Sequence, residues 1–166
     1  MVSAIQSYLH QTIRDQLKVT PCRFFGFDSF KGFNLEANDS IHPVWKSNEI
    51  VPSLERTRNR FSSFSKVVQV NLVEGFFKDT LPWAFEKHGI QKIRVCLIDC
   101  DLLSSTEQAL FHCAPYMQSG TILVFDDFFS YRGDPNKGVS GAMNNFSKRF
   151  AKFSSRELAT IGINGL

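Results

Sequence analysis

The residues best suited to chemistry in this sequence are acidic residues that stand at the ends of hydrophobic segments. In chain order they are Asp28, Glu74, Asp99, Asp126 and Asp127. If the segments before them are strands of one parallel sheet, their carboxyl ends share the edge at which such sheets bind ligands. Carboxylates gathered there repel each other unless a cation or a hydroxyl-rich ligand lies among them. The pattern therefore predicts a ligand site, although turns and helix caps use aspartate often enough to explain any one residue alone.

Asp99, Asp126 and Asp127 form the group best suited to hold a metal ion, because they follow neighbouring predicted strands. Carboxylates offer hard oxygen ligands, which suit Mg²⁺, an ion that keeps some water and takes oxygen from its substrate. The sequence thus predicts a Mg²⁺ site at these three residues. Asp101 has two interpretations, an outer supporting group or the cap of the following helix, and the cap is favoured.

Asp28 also has two interpretations, and both stay open from the residues alone. A carboxylate at the end of a central strand can accept both hydroxyls of a ribose. An Asx-type turn leading into Ser29 would instead give Asp28 a structural role. Among the histidines, His42 is best placed for a substrate role, because it lies in a polar segment beside Pro43.

The elements that must position these residues follow from the hydrophobic pattern. Helices are predicted over 2–18, 53–65, 79–88, from Ser104 or Ser105 onward, and over 139–152. Strands are predicted over 24–27, 67–73, 93–98, 121–125 and 158–163. The polar segment 31–52 is predicted to be a long loop, of the kind that often forms a lid. The alternation indicates an α/β, doubly wound fold with a mostly parallel sheet, in one domain over 1–166.

Composition argues against several classes of partner. The 166 residues carry a formal net charge of +3, which is too small to indicate nucleic acid or a membrane surface. The sequence shows no stretch that would cross a bilayer and no signal peptide, so a cytoplasmic protein is expected. The four cysteines form no Cys-x-x-Cys pair, which favours free thiols over a zinc site.

Four sequence blocks then occur in a fixed order. They are FGFDSFKG at 25–32, VEGFFKDTLP at 73–82, IDCDLLSST at 98–106 and VFDDF at 124–128. Together they closely resemble the macrocin O-methyltransferase family, class I S-adenosylmethionine-dependent enzymes of antibiotic sugar tailoring. The resemblance runs from about Phe24 to the end of the chain.

The resemblance implies a fold, cofactors and roles for particular residues. It implies a Rossmann-like domain that transfers a methyl group from S-adenosylmethionine to a hydroxyl of a small molecule or sugar, assisted by Mg²⁺. The implied cofactor-binding residues are Asp28 with Ser29 at the ribose, and Glu74 with Gly75 near the adenine. The implied metal ligands are Asp99, Asp126 and Asp127, of which Asp99 is also the catalytic residue. In such enzymes Mg²⁺ aligns the acceptor hydroxyl and stabilises the developing alkoxide.

The sequence departs from the family pattern at three places, and two of these departures change the fold that we expect. No strand with a glycine-rich loop is predicted before Phe24, Leu103 stands where an aromatic residue is frequent, and the chain stops at Leu166 where a closing strand is usual. The expected fold therefore lacks its first strand, its glycine-rich loop and a closing strand. Such a sheet has unpaired edges, which favour association and would allow a homo-oligomer.

Three other interpretations stay open. A non-catalytic remnant would keep the fold without holding the cofactor, and detectable methyl transfer would rule it out. A two-aspartate phosphohydrolase is suggested by Asp99-x-Asp101, Thr106 and the later aspartate pair, although one helix is a short interval for that class. A binding module with acidic turns is simpler, but it does not account for four blocks in the order of the family.

Overall fold

The computed structural model describes residues 23–40, 42, 51–62 and 70–160. The helix predicted over 2–18 lies outside these residues, as do much of the predicted loop 31–52 and the last part of the strand predicted over 158–163. The described residues alternate strands and helices. In chain order the elements are β1 (Phe24–Asp28), α1 (Leu54–Ser62), β2 (Val70–Glu74), α2 (Phe77–Lys87), β3 (Ile93–Ile98), α3 (Leu103–Cys113), a short 3₁₀ helix (Ala114–Tyr116), β4 (Met117–Phe125) and α4 (Gly138–Arg149).

The chain divides into two compact units, Met1–Asn34 with Pro43–Gln91 and Leu35–His42 with Lys92–Leu166. Among the described residues, each unit holds one two-stranded parallel sheet, β1 with β2 in the first and β3 with β4 in the second. The predicted parallel pairing is confirmed, whereas the single sheet expected from the sequence is seen as two pairs. The single domain over 1–166 stays a prediction.

In the first unit, β1 and β2 run side by side and end together, with Asp28 opposite Glu74. Helix α2 buries an apolar face, and its Phe85 ring stacks on Phe27 of β1 with 5.9 Å between ring centroids. Burial of such aromatic pairs is a main source of stability in a small unit. The packing therefore fixes the β1 strand whose last residue is Asp28.

Helix α2 begins two residues before its predicted start. The Thr80 N–H donates to the Phe76 carbonyl at 3.0 Å, so the first turn forms from Phe77 and ahead of Pro82. Pro82 lies inside the helix, where it removes one backbone hydrogen bond. The predicted end is confirmed, since Gly89 follows the last turn with φ of +58°.

In the second unit, helices α3 and α4 pack against each other and α3 also contacts β3. The most completely buried apolar side chains of this unit are Ile98, Leu110, Ala114, Val139, Ala142 and Phe146. Opposite sheet residues Ile98 and Phe125 pair at the carboxyl ends of β3 and β4. The two strands therefore finish at the same level, which is where the acidic residues follow.

Other differences from the predicted elements have local causes. Strand β4 begins four residues before its predicted start, because Gly120, with φ of +87°, lies at an irregularity in the pairing with β3 and does not end the strand. Segment 151–160 forms no strand, and Leu158 is 68% exposed, so the strand predicted over 158–163 is wrong in its described part.

No helix within the described part of the chain is long and apolar enough to span a membrane.

Candidate functional site

Three carboxylates converge at the carboxyl end of the β3–β4 sheet. Carboxylate oxygens of Asp99, Asp101 and Asp127 all lie within 4.8 Å of one another. Asp99 directly follows β3 and Asp127 lies two residues beyond β4, so the pairing of the two strands brings them together. The Asp99 side chain is exposed and the other two are half-buried. We call these three residues the acid cluster.

The acid cluster differs by one residue from the predicted metal set of Asp99, Asp126 and Asp127. The Asp126 N–H extends the sheet by donating to the Ile98 carbonyl at 2.9 Å, and its Oδ1 accepts the Asp127 N–H at 3.0 Å. Asp101 takes the third place in the group that the described residues bring together. The favoured interpretation of Asp101 as a helix cap is wrong, because Leu102 occupies the cap position of α3.

The backbone at two members of the acid cluster adopts the left-handed conformation. Asp101 has φ of +59° and Asp127 has φ of +51°, a region that aspartate tolerates better than most residues. A Cβ atom at Gly138 would lie 2.5 Å from the Tyr131 ring and 3.3 Å from the Asp101 carbonyl oxygen. Close packing at Gly138 and tight turns therefore hold the two aspartates in place.

Burial and the neighbouring carboxylates together change the pKa of one member of the cluster. Burial, followed by a hydrogen bond with Asp127 and by the charges of Asp127, Asp99 and Asp126, raises the pKa of Asp101 to about 7. Neighbouring carboxylates cannot all ionise cheaply without a counter-charge. The cluster therefore retains a proton near neutrality when no cation lies in it.

Ser130 and Tyr131 support the Asp127 side of the cluster. The Ser130 hydroxyl donates to Asp127 Oδ1 at 3.1 Å, and the Ser130 N–H donates to the Asp127 carbonyl at 3.1 Å. The Tyr131 hydroxyl donates to the Ser40 carbonyl at 2.7 Å, and His42 Nε2 donates to the Ser130 carbonyl at 2.9 Å. In this structure His42 thus contacts the loop that carries Asp127, and its substrate role stays a prediction.

A distant carboxylate caps helix α3. The Ser104 N–H donates to Asp39 Oδ1 at 2.9 Å, and the Ser104 hydroxyl donates to Asp39 Oδ2 at 2.6 Å. The sequence predicted that this helix would start at Ser104 or Ser105, whereas it starts at Leu103, and the oxygen that accepts the Ser104 N–H comes from a residue 65 positions earlier. Local sequence holds no signal for such a contact.

The residues predicted to bind the cofactor lie at the carboxyl end of the β1–β2 sheet. Asp28 Oδ1 accepts the Phe30 N–H at 2.6 Å, so the Asx-type turn considered from the sequence is present. Ser29 Oγ accepts the Lys31 N–H at 3.1 Å and belongs to the same turn. The ribose and adenine roles of these residues stay predictions.

Glu74 and Gly75 follow on the neighbouring strand. Glu74 is exposed at the end of β2, and the Gly75 N–H donates to the Asp28 carbonyl at 2.9 Å. Gly75 has φ of +138°, and a Cβ atom there would lie 2.6 Å from the Thr80 side chain. The turn from β2 into α2 therefore requires glycine at this position.

The described cysteines are free thiols, as predicted. Burial raises the pKa of Cys100 to about 12, so this thiol between Asp99 and Asp101 is protonated at neutral pH. Cys96 and Cys113 share a thiol hydrogen bond, which lowers the pKa of Cys96 and raises that of Cys113. None of these sulfurs belongs to the acid cluster.

Parallel strand pairs that alternate with helices are consistent with a Rossmann-like fold, and similar solved structures are methyltransferases. The solved structure of the O-methyltransferase NovP matches with a TM-score of 0.67 and 25% identity, covering 86% of this chain and 58% of that chain. The family model for macrocin-O-methyltransferase (TylF) matches residues 7–151. The chain therefore belongs to the macrocin-O-methyltransferase family, which confirms the resemblance of the four sequence blocks.

Two curated relatives are similar over part of their length. The mycinamicin III 3''-O-methyltransferase of Micromonospora griseorubida is 27% identical over 110 residues, which are 61% of this chain and 42% of that protein. The 8-demethyl-8-(2,3-dimethoxy-alpha-L-rhamnosyl)-tetracenomycin-C 4'-O-methyltransferase of Streptomyces olivaceus is 32% identical over 118 residues, 66% of this chain and 43% of that protein. The chain thus matches less than half the length of either relative.

Proposed function

We propose that this chain is the part of an S-adenosylmethionine-dependent, Mg²⁺-assisted O-methyltransferase that holds the cation and the acceptor hydroxyl. The observation that carries the proposal is the convergence of Asp99, Asp101 and Asp127 in a member of the macrocin-O-methyltransferase family. Three carboxylates present oxygen ligands only, which is the donor set that Mg²⁺ takes in proteins.

The acid cluster fits a divalent cation in charge as well as in ligand type. Burial, the hydrogen bond with Asp127 and the neighbouring carboxylate charges raise the pKa of Asp101, and a cation among the three carboxylates would favour its ionised form. Asp99, Asp101 and Asp127 would hold the ion, and bound Mg²⁺ supplies Lewis-acid stabilisation of the negative charge on the acceptor oxygen. Asp126, a ligand in the sequence-based prediction, would instead order the Asp127 backbone through its hydrogen bond.

Asp99 is the member of the cluster that an acceptor can approach most easily, because its side chain is the exposed one. We therefore assign it the catalytic role predicted from the sequence, in which it positions the acceptor hydroxyl beside the cation. Such positioning places the reacting oxygen for attack without any covalent role for the carboxylate.

The carboxyl end of the β1–β2 sheet would bind the cofactor, which supplies the transferable methyl group on its sulfonium. The Asx-type turn uses Oδ1 of Asp28, so Oδ2 is the oxygen that would accept the ribose hydroxyls. Ser29 would hold that turn in shape, and the exposed Glu74 would lie near the adenine. Gly75 would let the nucleoside approach the backbone closely, since it has no side chain.

The acceptor class proposed is a hydroxyl of a small molecule or sugar. Both curated relatives are named as O-methyltransferases, and one of them for an acceptor that bears a rhamnosyl group. Phe129 is 60% exposed two residues after Asp127, and its ring packs edge-on against Phe128 at 5.1 Å. This apolar surface beside the cluster suits an acceptor that carries a ring system next to its hydroxyl.

Titration calorimetry with S-adenosylmethionine, in Mg²⁺ and in EDTA, tests the proposal together with a methyl-transfer assay on a rhamnosylated acceptor. Asp28→Asn should weaken cofactor binding roughly 10-fold or more, the loss expected for a hydrogen bond to a charged group. Asp99→Asn should abolish transfer and leave cofactor binding in place. Glu86→Gln, a neutralised carboxylate on the exposed side of α2, is the matched control and should change neither.

Three results would contradict parts of the proposal. A folded sample that gives no heat with the cofactor in either buffer would remove the cofactor site from this chain. Cofactor binding without methyl transfer, across a panel of hydroxyl acceptors, would favour the non-catalytic alternative. Equal transfer rates in Mg²⁺ and in EDTA would remove the role of the metal.

A further inference from the structure

One segment of the second unit contacts the elements next to both loops of the acid cluster. This segment, the strap, consists of residues 35–40 and 42. Its contacts reach the start of α3, which follows Asp101, and the loop that follows Asp127. A segment with contacts on both sides is placed to set the distance between the two loops.

On the Asp101 side, the strap acts through Asp39. Its carboxylate accepts the Ser104 N–H at 2.9 Å and the Ser104 hydroxyl at 2.6 Å, and Ser104 is only 4% exposed. The same carboxylate accepts the Glu36 N–H at 2.8 Å, so it is held within the strap as well. Because Asp101 lies three residues before Ser104, fixing the first turn of α3 fixes the chain that leaves Asp101.

On the Asp127 side, the residues next to Asp39 make the contacts. The Ser40 carbonyl accepts the Tyr131 hydroxyl at 2.7 Å, and His42 donates to the Ser130 carbonyl at 2.9 Å. Ser130 in turn donates to Asp127 Oδ1 at 3.1 Å. Hydrogen bonds therefore connect the strap to α3 on one side and, through Ser130, to a member of the acid cluster on the other.

We propose that Asp39 is a positioning residue for the cation site, which holds the Asp101 and Asp127 loops at ligand spacing without touching the ion. The inference rests on the proposed function, since it concerns the same metal site. Neighbours that orient metal ligands commonly change metal affinity about 10- to 100-fold when they are removed. Asp39 contacts no member of the acid cluster directly, and it would act through Ser104, so the lower end of this range is expected.

The test measures Mn²⁺ binding by electron spin resonance of the free ion, with Mn²⁺ as the probe for the Mg²⁺ site. Asp39→Ala should weaken Mn²⁺ binding about 10-fold. Asp39→Asn retains an acceptor for the Ser104 N–H and should recover most of that loss. Glu36→Ala removes a carboxylate of the same strap that accepts Gln108 on the surface of α3, and it should bind Mn²⁺ within about 2-fold of the wild type.

Tyr131→Phe serves as a second variant where Asp39→Ala fails to fold. It removes only the hydroxyl that donates to the strap and should weaken Mn²⁺ binding about 3-fold, as expected for one hydrogen bond. A thermal-unfolding scan of each variant separates loss of stability from loss of the site.

Several outcomes would overturn the inference. Wild-type Mn²⁺ affinity in a folded Asp39→Ala variant would make the cap a purely structural contact. Equal weakening by Asp39→Asn and Asp39→Ala would assign the effect to charge rather than to positioning. Absence of Mn²⁺ binding by the wild-type chain would remove the proposed metal site itself, which is distinguishable from an intact site that ignores Asp39.

Discussion

Replacing Asp101 by Asn should stabilise the cation-free protein at neutral and alkaline pH. Asp101 is half-buried among acidic neighbours, and burial together with those neighbours raises its pKa from 3.8 to about 7. The amide keeps the shape of the side chain and removes its charge. The variant therefore no longer has to bury a carboxylate beside Asp99 and Asp127.

The pH dependence follows from the direction of the pKa change. In the unfolded chain Asp101 releases its proton near 3.8, whereas in the folded chain it holds the proton until about 7. The folded state therefore binds more protons between these values, so its stability falls as the pH rises from about 4 to 7. Above pH 7 the loss of stability has reached its full size, and below pH 4 there is no loss.

The size of the stabilisation by Asp101→Asn is set by the pKa change of Asp101 and by the exposure of its side chain. Full conversion at about 1.4 kcal/mol per pH unit would give roughly 4 kcal/mol. The side chain is partly exposed, and solvent screening reduces the value to about 2 kcal/mol. Asp101→Asn should thus unfold at higher urea than the wild type at pH 8, and the two should nearly coincide at pH 4.

Urea denaturation in EDTA at both pH values measures this difference, with Glu86→Gln as the charge-matched control. Saturating Mg²⁺ should then stabilise the wild type through binding to the native state and stabilise Asp101→Asn much less. A variant that is less stable than the wild type at pH 8 would refute the reasoning. It would show that Asp101 gains more from its hydrogen bond with Asp127 than it loses by repulsion.

Three further predictions test other parts of the structure. Asp127→Asn should lower Mn²⁺ affinity at least about 10-fold in spin-resonance titrations, while Asp126→Asn should lower it only about 3-fold through lost charge. A larger loss for Asp126→Asn than for Asp127→Asn would restore Asp126 as a metal ligand, as predicted from the sequence. Gly138→Ala should cost about 3 kcal/mol in urea denaturation, because it adds a steric clash to a positive φ. Gly89→Ala, with φ of +58° but open space around its Cβ, should cost about 1 kcal/mol, and equal losses would contradict the clash. Cys100 of the folded protein should react with iodoacetamide at pH 8 on the order of 10³ times more slowly than Cys100 of the protein unfolded in urea, because folding raises its pKa from 9.0 to about 12. Mass spectrometry measures the extent of alkylation over time.

The convergence of Asp99 and Asp127 could be predicted because it follows from strand pairing. Two hydrophobic runs of β type were expected to lie side by side, and parallel strands end at one edge of a sheet. The pairing of Ile98 with Phe125 confirms this expectation. Residues that directly follow paired strands are thus the part of the candidate site that a sequence can supply.

The remaining parts depend on backbone geometry and distant contacts. Asp101 precedes a helix in a pattern that is typical of a cap, and only its φ of +59° turns its side chain toward the cluster. The contact between Asp39 and Ser104 spans 65 residues and has no local signature. The early start of α2 was missed because proline favours the first turn of a helix, whereas Pro82 lies inside α2.

If the protein were a binding module with acidic turns, those acidic residues should stabilise the fold. The acid cluster does not meet this expectation. Acidic turn residues that serve only the fold should stabilise it, for example by capping a helix. Asp101 instead combines a left-handed backbone, partial burial and a pKa raised to about 7, each of which costs free energy in the absence of a cation. Perturbed carboxylates of this kind are typical of sites where a ligand supplies the missing charge. The cation-binding role that we propose for the cluster would account for the Asp101 environment, which a purely structural role does not require.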